Sequence, residues 1–319
     1  MPFLSRKTVF CLIIFALISA LFITGCAGSS SAEPEEQDRV ENEFIFSFIF
    51  MSDTQADPEI GDYSAFGSLL ALALSHESGP KLLILGGDNV NDGASAEEWD
   101  AFWKVADGRL DDVLTASVAG NHDSKPLLAE QFSYPDKAPA TSSEGFFYVF
   151  SANNVLFLML DSNIMGAGNE SDAKWLADQL KNGSSSESNW QIAVCHHPFW
   201  PVVQAPKDLQ RAGTMRTVFL PALESSGVDL ILCGHNHVYS RTAPMLNGSE
   251  GEDGIIQIMT ASGAKDSYVP ADIEHIAITK DAPAYLIVEV GSELLTITAY
   301  DGAGEQIDRI VITKRAAES

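Results

Sequence analysis

The sequence contains little cysteine, little positive charge and no long apolar segment. Four cysteines occur among 319 residues, and 19 lysines and arginines stand against 44 aspartates and glutamates, which gives a formal net charge of −25. Such an acidic surface argues against nucleic acid as a partner and against docking on anionic lipid by charge. The hydrophobic content of 45% is that of a globular protein, and the length allows one large domain or two ordinary ones.

The few cysteines exclude a disulfide framework. Cys11 and Cys26 belong to an N-terminal signal region, while Cys195 and Cys233 lie inside apolar strands beside histidines. We predict that Cys195 and Cys233 are buried free thiols; a disulfide between them is the alternative.

The longest apolar segment runs from Val9 to Ile23 and, at about 15 residues, is too short for a comfortable membrane span. It follows Arg6 and Lys7, so residues 1–25 are predicted to be a cleaved signal peptide. The sequence Ile-Thr-Gly-Cys that ends at Cys26 resembles the lipobox of bacterial lipoproteins, in which the cysteine is lipidated and becomes the new N-terminus.

This N-terminus predicts an exported protein that is anchored to the cell membrane through lipid on Cys26, with its folded domain outside the cytoplasm. Cleavage removes the two positive charges of Arg6 and Lys7 and no acid, so the formal charge falls from −25 to −27. An ordinary secretory signal or an uncleaved anchor, each with an incidental cysteine, is the alternative.

The remaining chain divides into an acidic flexible tether over 26–43, one domain over 44–314 and a short tail over 315–319. Within the domain, apolar strands that stop at polar residues alternate with segments of helical periodicity. Ser95 and Glu98 form a capping-box pattern at the start of one helix. Helices are predicted over 63–77, 95–107 and 207–225, with a further helix in the segment ESDAKWLADQL.

Alternating strands and helices predict an α/β fold whose sheets are covered by helices. In such sheets ligands bind beyond the carboxyl ends of the strands. His235 and His237 lie two positions apart at one strand end, so both imidazoles can face the same volume. Polar residues also follow four other strands: Asp53, Asp88, Asn121 with His122, and His196.

Carboxylates, an amide oxygen and imidazoles at one sheet edge suit divalent cations such as Zn, Mn or Fe. The chain here resembles the calcineurin-like metallophosphoesterases, whose blocks read D-x-H, G-D, G-N-H-[DE], H-x-P and G-H-x-H in that order. The resemblance covers residues 44–314. Between the blocks, the sequence is similar to that of the purple acid phosphatase branch. The corresponding segments are Asp53-Thr54-Gln55, Gly87-Asp88, Gly120-Asn121-His122-Asp123, His196-His197-Pro198 and Gly234-His235-Asn236-His237.

The resemblance implies a sandwich of two mixed sheets flanked by helices and a centre of two divalent metal ions. It implies that Asp53, Gln55 and His237 hold the first ion, that Asn121, His196 and His235 hold the second, and that Asp88 bridges them. The implied chemistry is hydrolysis of phosphate mono- or diesters by attack of a metal-bound hydroxide. His122 would orient the substrate or protonate the leaving oxygen, with Asp123 orienting His122.

Two positions depart from the family pattern. Gln55 stands where the first block has histidine, and a glutamine oxygen is a neutral and weaker donor than imidazole. Asn91 stands where purple acid phosphatases have a metal-binding tyrosine, so a purple ferric site is not expected.

Tyr239 and Arg241 are candidate substrate contacts, although an ordinary strand tyrosine and a surface arginine fit equally well. His197 is interpreted as a neighbour of the site, and Trp99, Trp103 and Trp175 as packing residues. The expected substrate is a small phosphate ester. Alternative functions are a phosphodiesterase for cyclic nucleotides or lipid headgroups, and a tethered binding module that has lost turnover through Gln55.

Overall fold

The computed structural model describes residues 42–57, 59, 61–106, 108–132, 146–183 and 190–315, all within the compact unit Val40–Ser319. The predicted signal peptide, the lipidation site Cys26 and most of the predicted tether lie outside these residues. Among the described helices, none has the length and apolar character needed to cross a membrane.

The first sheet has six strands. Three of them, β1 to β3, are parallel neighbours, and the other three continue the sheet in antiparallel pairs beside β1. The order across the sheet is β15-β14-β13-β1-β2-β3, with β1 (Phe44–Met51), β2 (Leu82–Leu85), β3 (Leu114–Ser117), β13 (Ala284–Gly291), β14 (Leu294–Asp301) and β15 (Gln306–Thr313). All four residues of β2 are apolar and buried, as is typical of a strand that is covered on both faces.

The second sheet has seven strands in the order β12-β8-β11-β7-β6-β5-β4. Its centre is parallel and its margins are antiparallel. The strands are β4 (Tyr148–Ala152), β5 (Val155–Leu160), β6 (Trp190–Cys195), β7 (Leu230–Cys233), β8 (Tyr239–Thr242), β11 (Ile256–Met259) and β12 (Ile276–Lys280). A separate short hairpin joins β9 (Met245–Leu246) to β10 (Ser249–Glu250).

Seven helices are present in the described residues: α1 (Ser64–Leu74), α2 (Ala96–Ala106), α3 (Lys125–Gln131), α4 (Ser162–Met165), α5 (Glu170–Gly183), α6 (Pro206–Val218) and α7 (Leu220–Ser225). The helix predicted over 207–225 is thus two helices. Pro221 explains the break, because it has no N–H to continue the ladder of α6, yet it fits in the first turn of α7.

The predicted capping box at α2 is half present. The Ser95 hydroxyl accepts a hydrogen bond from the Glu98 backbone N–H at 3.3 Å. The Glu98 carboxylate, however, accepts from Asn91 N at 2.6 Å and from the Tyr63 hydroxyl at 2.9 Å. Glu98 therefore fastens the segment after β2 to the start of α2.

The facing sides of the two sheets enclose one apolar core, in which the rings of Phe48 and Phe157 meet edge to face at 5.2 Å. A second core lies between the second sheet and the helices α5 to α7. The predicted two-sheet sandwich flanked by helices is confirmed. Cys195 and Cys233 are fully buried free thiols, as predicted.

Candidate metal centre

The carboxyl ends of five parallel strands bring the predicted site residues to one edge of the two sheets. Asp53 follows β1, Asp88 follows β2, and Asn121 with His122 follows β3. From the second sheet, His196 follows β6 and the two histidines of the last block follow β7. Ligand atoms of Asp53, Asp88 and His196 lie within 4.8 Å of one another, and all three residues are buried.

Direct contacts connect this cluster to the other predicted residues. His196 Nε2 lies 3.3 Å from Asp88 Oδ2, and His237 Nε2 lies 3.4 Å from Asp53 Oδ1. The backbone N–H of His235 donates to Asp53 Oδ2, and that of His122 donates to Asp88 Oδ1, each at 2.8 Å. Side chains from both sheets therefore face one small volume.

The backbone at the site is strained. Asp53, Asp88, His235 and His237 have φ values of 49°, 51°, 78° and 51°, in the left-handed region that non-glycine residues rarely adopt. Backbone strain of this kind clusters at functional sites, where the surrounding structure holds it in place.

Two glycines of the sequence blocks allow the carboxylates to approach. A Cβ on Gly234 would lie 2.0 Å from Asp53 Oδ2, and a Cβ on Gly120 would lie 2.1 Å from Asp88 Oδ1. Any side chain at either position would displace a carboxylate from the cluster.

Each clustered histidine has one ring nitrogen held by an acceptor. Nδ1 of His196 and Nδ1 of His237 lie 3.0 and 2.8 Å from the carbonyl oxygens of Gly86 and Asp266. A carbonyl oxygen only accepts, so both Nδ1 atoms carry a proton and both Nε2 atoms are left for a ligand. His235 is turned the other way, because its Nε2 contacts Asp208 Oδ1 at 3.1 Å and its Nδ1 is left. Such partners orient metal-binding histidines.

The donor atoms fit a divalent metal. Asp53 Oδ1, His196 Nε2 and Gln55 Oε1 are buried and have no hydrogen-bond partner. Leaving such an atom unpaired costs about 1–3 kcal/mol, which a bound cation would offset. Two donors that share one ion at about 2.1 Å lie roughly 3.0–3.4 Å apart, in agreement with the 3.3 and 3.4 Å contacts above.

The electrostatics of the cluster also require positive charge. Burial disfavours the protonated imidazole of His196, but the carboxylates of Asp88 and Asp53 outweigh burial and raise its pKa to about 9. Conversely, burial opposes ionisation of Asp88, while the neighbouring imidazole of His196 lowers the pKa of that carboxyl. A proton on His196 therefore provides the charge that a cation would otherwise supply.

The prediction that Asp123 orients His122 is wrong. The Asp123 carboxylate accepts hydrogen bonds from the backbone N–H groups of Asp88, Asn89 and Gly120 at 2.8–3.1 Å. It thus shapes the loop that presents Asp88, and burial followed by the charge of Asp88 raises its pKa to about 7. His122 Nδ1 instead lies 2.7 Å from the carbonyl oxygen of Asn91, which orients the ring.

The two predicted amide ligands differ in exposure. Gln55 is fully buried; its Nε2 donates to the Val90 carbonyl at 3.3 Å, and its Oε1 is one of the unpartnered atoms. Asn121 is exposed and directly precedes His122, whose backbone N–H donates to Asp88 Oδ1.

His197 lies closer to the cluster than the sequence indicates. Ligand atoms of His196, His197 and His235 lie within 4.8 Å of one another, and the rings of His197 and His235 are 4.3 Å apart. Its Nδ1 contacts the Ser162 hydroxyl at 2.9 Å. Burial, and then the charges of the two neighbouring histidines, lowers the pKa of His197, so this imidazole is neutral.

Tyr239 and Arg241, the candidate substrate contacts, have a structural partner. The Tyr239 hydroxyl and Arg241 Nε each donate to Asp308 Oδ2 at 2.6 Å. This contact joins β8 of the second sheet to β15 of the first sheet. Neither residue enters the site proposed below.

The tryptophans pack as predicted. Trp99 is buried against Phe102 and Phe132, Trp103 lies against the same core, and Trp175 contacts Phe147.

Sequence reasoning missed Asp208, Lys265 and Tyr268. Asp208 lies in the first turn of α6, where an acidic residue is ordinary. The other two lie in the segment 260–268 after β11, which carries no recognisable motif. Lys265 Nζ is 3.2 Å from His122 Nε2, and the Tyr268 ring is 5.1 Å from that of His237.

Comparison with known families agrees with this geometry. The calcineurin-like phosphoesterase family matches residues 46–239, more than half of the chain, and the chain belongs to this family. Purple acid phosphatase 23 of Arabidopsis thaliana is 24% identical over 182 residues, which are 54% of this chain and 39% of that protein. An uncharacterized protein of Mycobacterium tuberculosis is 29% identical over 157 residues, which are 43% of this chain and 29% of that protein. The chain thus spans well under half the length of these relatives.

Solved structures show the same fold. Purple acid phosphatase PPD1 of yellow lupin has a TM-score of 0.66 at 15% identity, covering 84% of this chain and 53% of that one. GAP50 of Plasmodium, described as the anchor in the inner membrane complex, has a TM-score of 0.62 at 15% identity, covering 85% and 89%. At these identities the likeness shows the fold alone.

Proposed function

We propose that this chain is a metal-dependent phosphoesterase that hydrolyses phosphate mono- or diesters at a centre of two divalent metal ions. The observation that carries the proposal is the buried cluster of Asp53, Asp88 and His196, whose ligand atoms lie within 4.8 Å of one another. Membership of the calcineurin-like phosphoesterase family and the resemblance to purple acid phosphatases support it.

The residues divide between two ions. Asp53, Gln55 and His237 would hold the first, Asn121, His196 and His235 the second, with Asp88 shared between them. This mixture of oxygen and imidazole donors suits Mn, Zn or Fe. When bound, the ions polarise a phosphoryl oxygen and lower the pKa of a coordinated water, which supplies a nucleophile near neutral pH.

His122 is the residue placed to handle a proton. Its Nδ1 keeps a proton in the hydrogen bond to the Asn91 carbonyl, so Nε2 is the atom that can accept or release one. A second proton at Nε2 would be the one transferred to the leaving oxygen of the ester.

The rival function is a binding module that has the fold without turnover. Gln55 favours this alternative, because a neutral donor weakens the first ion's site. GAP50, described as an anchor, has the same fold. A second alternative is a phosphodiesterase for cyclic nucleotides or lipid headgroups, since substrate loops vary freely on a shared fold.

A reconstitution experiment tests the proposal. Protein of residues 27–319, freed of metal by a chelator, is titrated with manganese, zinc or ferrous iron and assayed with a chromogenic monoester and a chromogenic diester. We expect hydrolysis that the chelator abolishes and added metal restores. Folded protein that hydrolyses neither ester with any metal would favour the binding module. Competition by cyclic nucleotides or lipid headgroup diesters would identify the second alternative.

We further propose that the protein is exported and anchored by lipid on Cys26, with the site outside the cytoplasm. Support comes from the predicted signal peptide and the lipobox-like sequence. Cys26→Ser should release the protein from the membrane fraction or leave it unprocessed. Unchanged fractionation with an uncleaved N-terminus would indicate a signal anchor instead.

A further inference from the structure

The segment 260–268 forms one wall of the candidate metal centre and is fixed to it at several points. The Ser262 N–H donates to the Ser52 carbonyl at 2.7 Å, and the Ala264 N–H donates to the Gln55 carbonyl at 3.0 Å. On the far side of Lys265, the Asp266 carbonyl accepts from His237 Nδ1 at 2.8 Å. Lys265 is therefore held between two anchors on residues of the site.

Glycine is required for this close approach. A Cβ on Gly263 would lie 2.4 Å from the Gln55 carbonyl oxygen and 2.5 Å from that of Asp53. The segment thus packs directly on the backbone that carries two of the proposed metal ligands. The position of Lys265 follows from the fold of the site.

The ammonium group of Lys265 contacts the imidazole ring of His122. Its Nζ lies 3.2 Å from His122 Nε2. Because His122 Nδ1 donates to the Asn91 carbonyl, Nε2 carries the lone pair that accepts from the lysine. Among the ion pairs of the described chain, none joins Lys265 to a carboxylate.

Lys265 differs from the lysines that pair with a carboxylate in this acidic chain. Three lysines in the described residues form ion pairs with aspartates: Lys125, Lys174 and Lys314. Lys265 lies instead beside the residue proposed to handle the leaving oxygen, next to a metal centre. An ammonium group is a strong donor to phosphoryl oxygens.

We propose that Lys265 binds a phosphoryl oxygen of the substrate and forms an anion subsite beside His122 and the metal centre. This role rests on the phosphoesterase function proposed above and extends it to a residue outside the family blocks. Tyr268 bounds the same space on the side of His237, where its half-exposed ring can contact the alcohol portion of the ester.

The test is phosphate binding by the metal-loaded protein, measured by isothermal titration calorimetry with inorganic phosphate as the probe. Lys265→Gln should weaken phosphate binding by roughly tenfold or more, the loss expected for a hydrogen bond to a charged group. Lys265→Arg keeps the charge and should retain most of the affinity. Lys104→Gln removes an equal charge from an exposed position on α2 and should bind phosphate like the wild type.

Kinetics supply a second readout. Loss of Lys265 should raise KM more than it lowers kcat, and should affect a monoester more than a diester, because the monoester phosphate carries nearly one additional negative charge at pH 7. Metal stoichiometry should stay unchanged in all three variants.

The outcomes separate this inference from the proposed function. Phosphate affinity that is equal in Lys265→Gln and the wild type, or absent in the loaded wild type, would overturn the subsite. Lys265-dependent phosphate binding in a protein that hydrolyses no ester would support the subsite and contradict the phosphoesterase.

Discussion

The first half of the proposed metal centre, Asp53, Gln55 and His237, is buried, with exposed fractions of 5% or less. The second half, Asn121, His196 and His235, opens to solvent at Asn121 and is partly exposed at His235. The halves also differ in donors. The first has a carboxylate, a neutral amide and one imidazole, whereas the second has a neutral amide and two imidazoles.

The hydrogen-bond partners of the histidine rings add to this difference between the halves. His237 and His196 are held by backbone carbonyls, which are neutral, while His235 is held by the carboxylate of Asp208. A carboxylate partner makes an imidazole a better metal ligand. We therefore expect the second half to bind borderline metals such as zinc more tightly and to fill first. Full activity should then require an added divalent metal such as manganese.

The largest effect is expected from Asp88→Asn, because this carboxylate serves both halves. Metal binding should be lost from both, and kcat/KM should fall by at least roughly a thousandfold, beyond the 10–100-fold typical of residues that only orient ligands. Metal content by mass spectrometry and steady-state kinetics measure the two losses.

Thermal unfolding in chelator is the control for Asp88→Asn. The metal-free variant should stay folded but be somewhat less stable than the metal-free wild type, because Asp88→Asn removes the carboxylate that pairs with His196. If the variant still binds two ions, Asp88 is not the ligand that the two ions share.

An intermediate effect is expected from Asp208→Ala, which changes the second half alone. His235 would lose the partner of its Nε2, and the affinity of the second half should fall about 10–100-fold. Asp178→Ala, at an exposed position on α5, is the matched control. Equal losses in both halves, seen as parallel shifts of the two metal-binding steps, would contradict the independence of the halves.

The sequence predicts the parts of this fold and site that depend on local pattern. Apolar strands that stop at a carboxylate or a histidine mark both sheets and the edge where the site forms. Asp208 and Lys265 could not be predicted, because each reaches the site through contacts more than 25 residues distant in the chain. Nothing in the neighbouring sequence reveals those contacts.

Asp123 shows a different limit. Its place directly after His122 suggests that it orients that ring, but the tight turn points its carboxylate back to the N–H groups around Asp88. Adjacent side chains in a turn point in different directions, so proximity in the chain does not predict a contact. Likewise, Tyr239 and Arg241 follow His237 closely, yet β8 carries them to Asp308.

The smallest effect, a gain, is expected from Gln55→His. Replacing the amide by imidazole gives the first half two imidazoles and should raise its affinity for zinc by roughly tenfold, a change of the size seen when the surroundings of a ligand are altered. The measurement is metal stoichiometry and activity against metal concentration for the variant and the wild type. The step assigned to the second half should not move.

The surroundings of Gln55 support its role as a metal ligand and define the result that would rule this role out. Gln55 is fully buried and its Oε1 has no partner, so a donor at this position meets no solvent competitor. Its Nε2, however, donates to the Val90 carbonyl, a bond that an imidazole can replace only if its ring reaches the same carbonyl.

Gln55→Ala separates the two roles: loss of a ligand weakens the first metal-binding step, whereas loss of the Val90 contact lowers the unfolding temperature of the metal-free protein. Identical titration curves for wild type, Gln55→His and Gln55→Ala would place residue 55 outside the coordination sphere. The difference between the halves would then rest on the exposure of the second half and on Asp208.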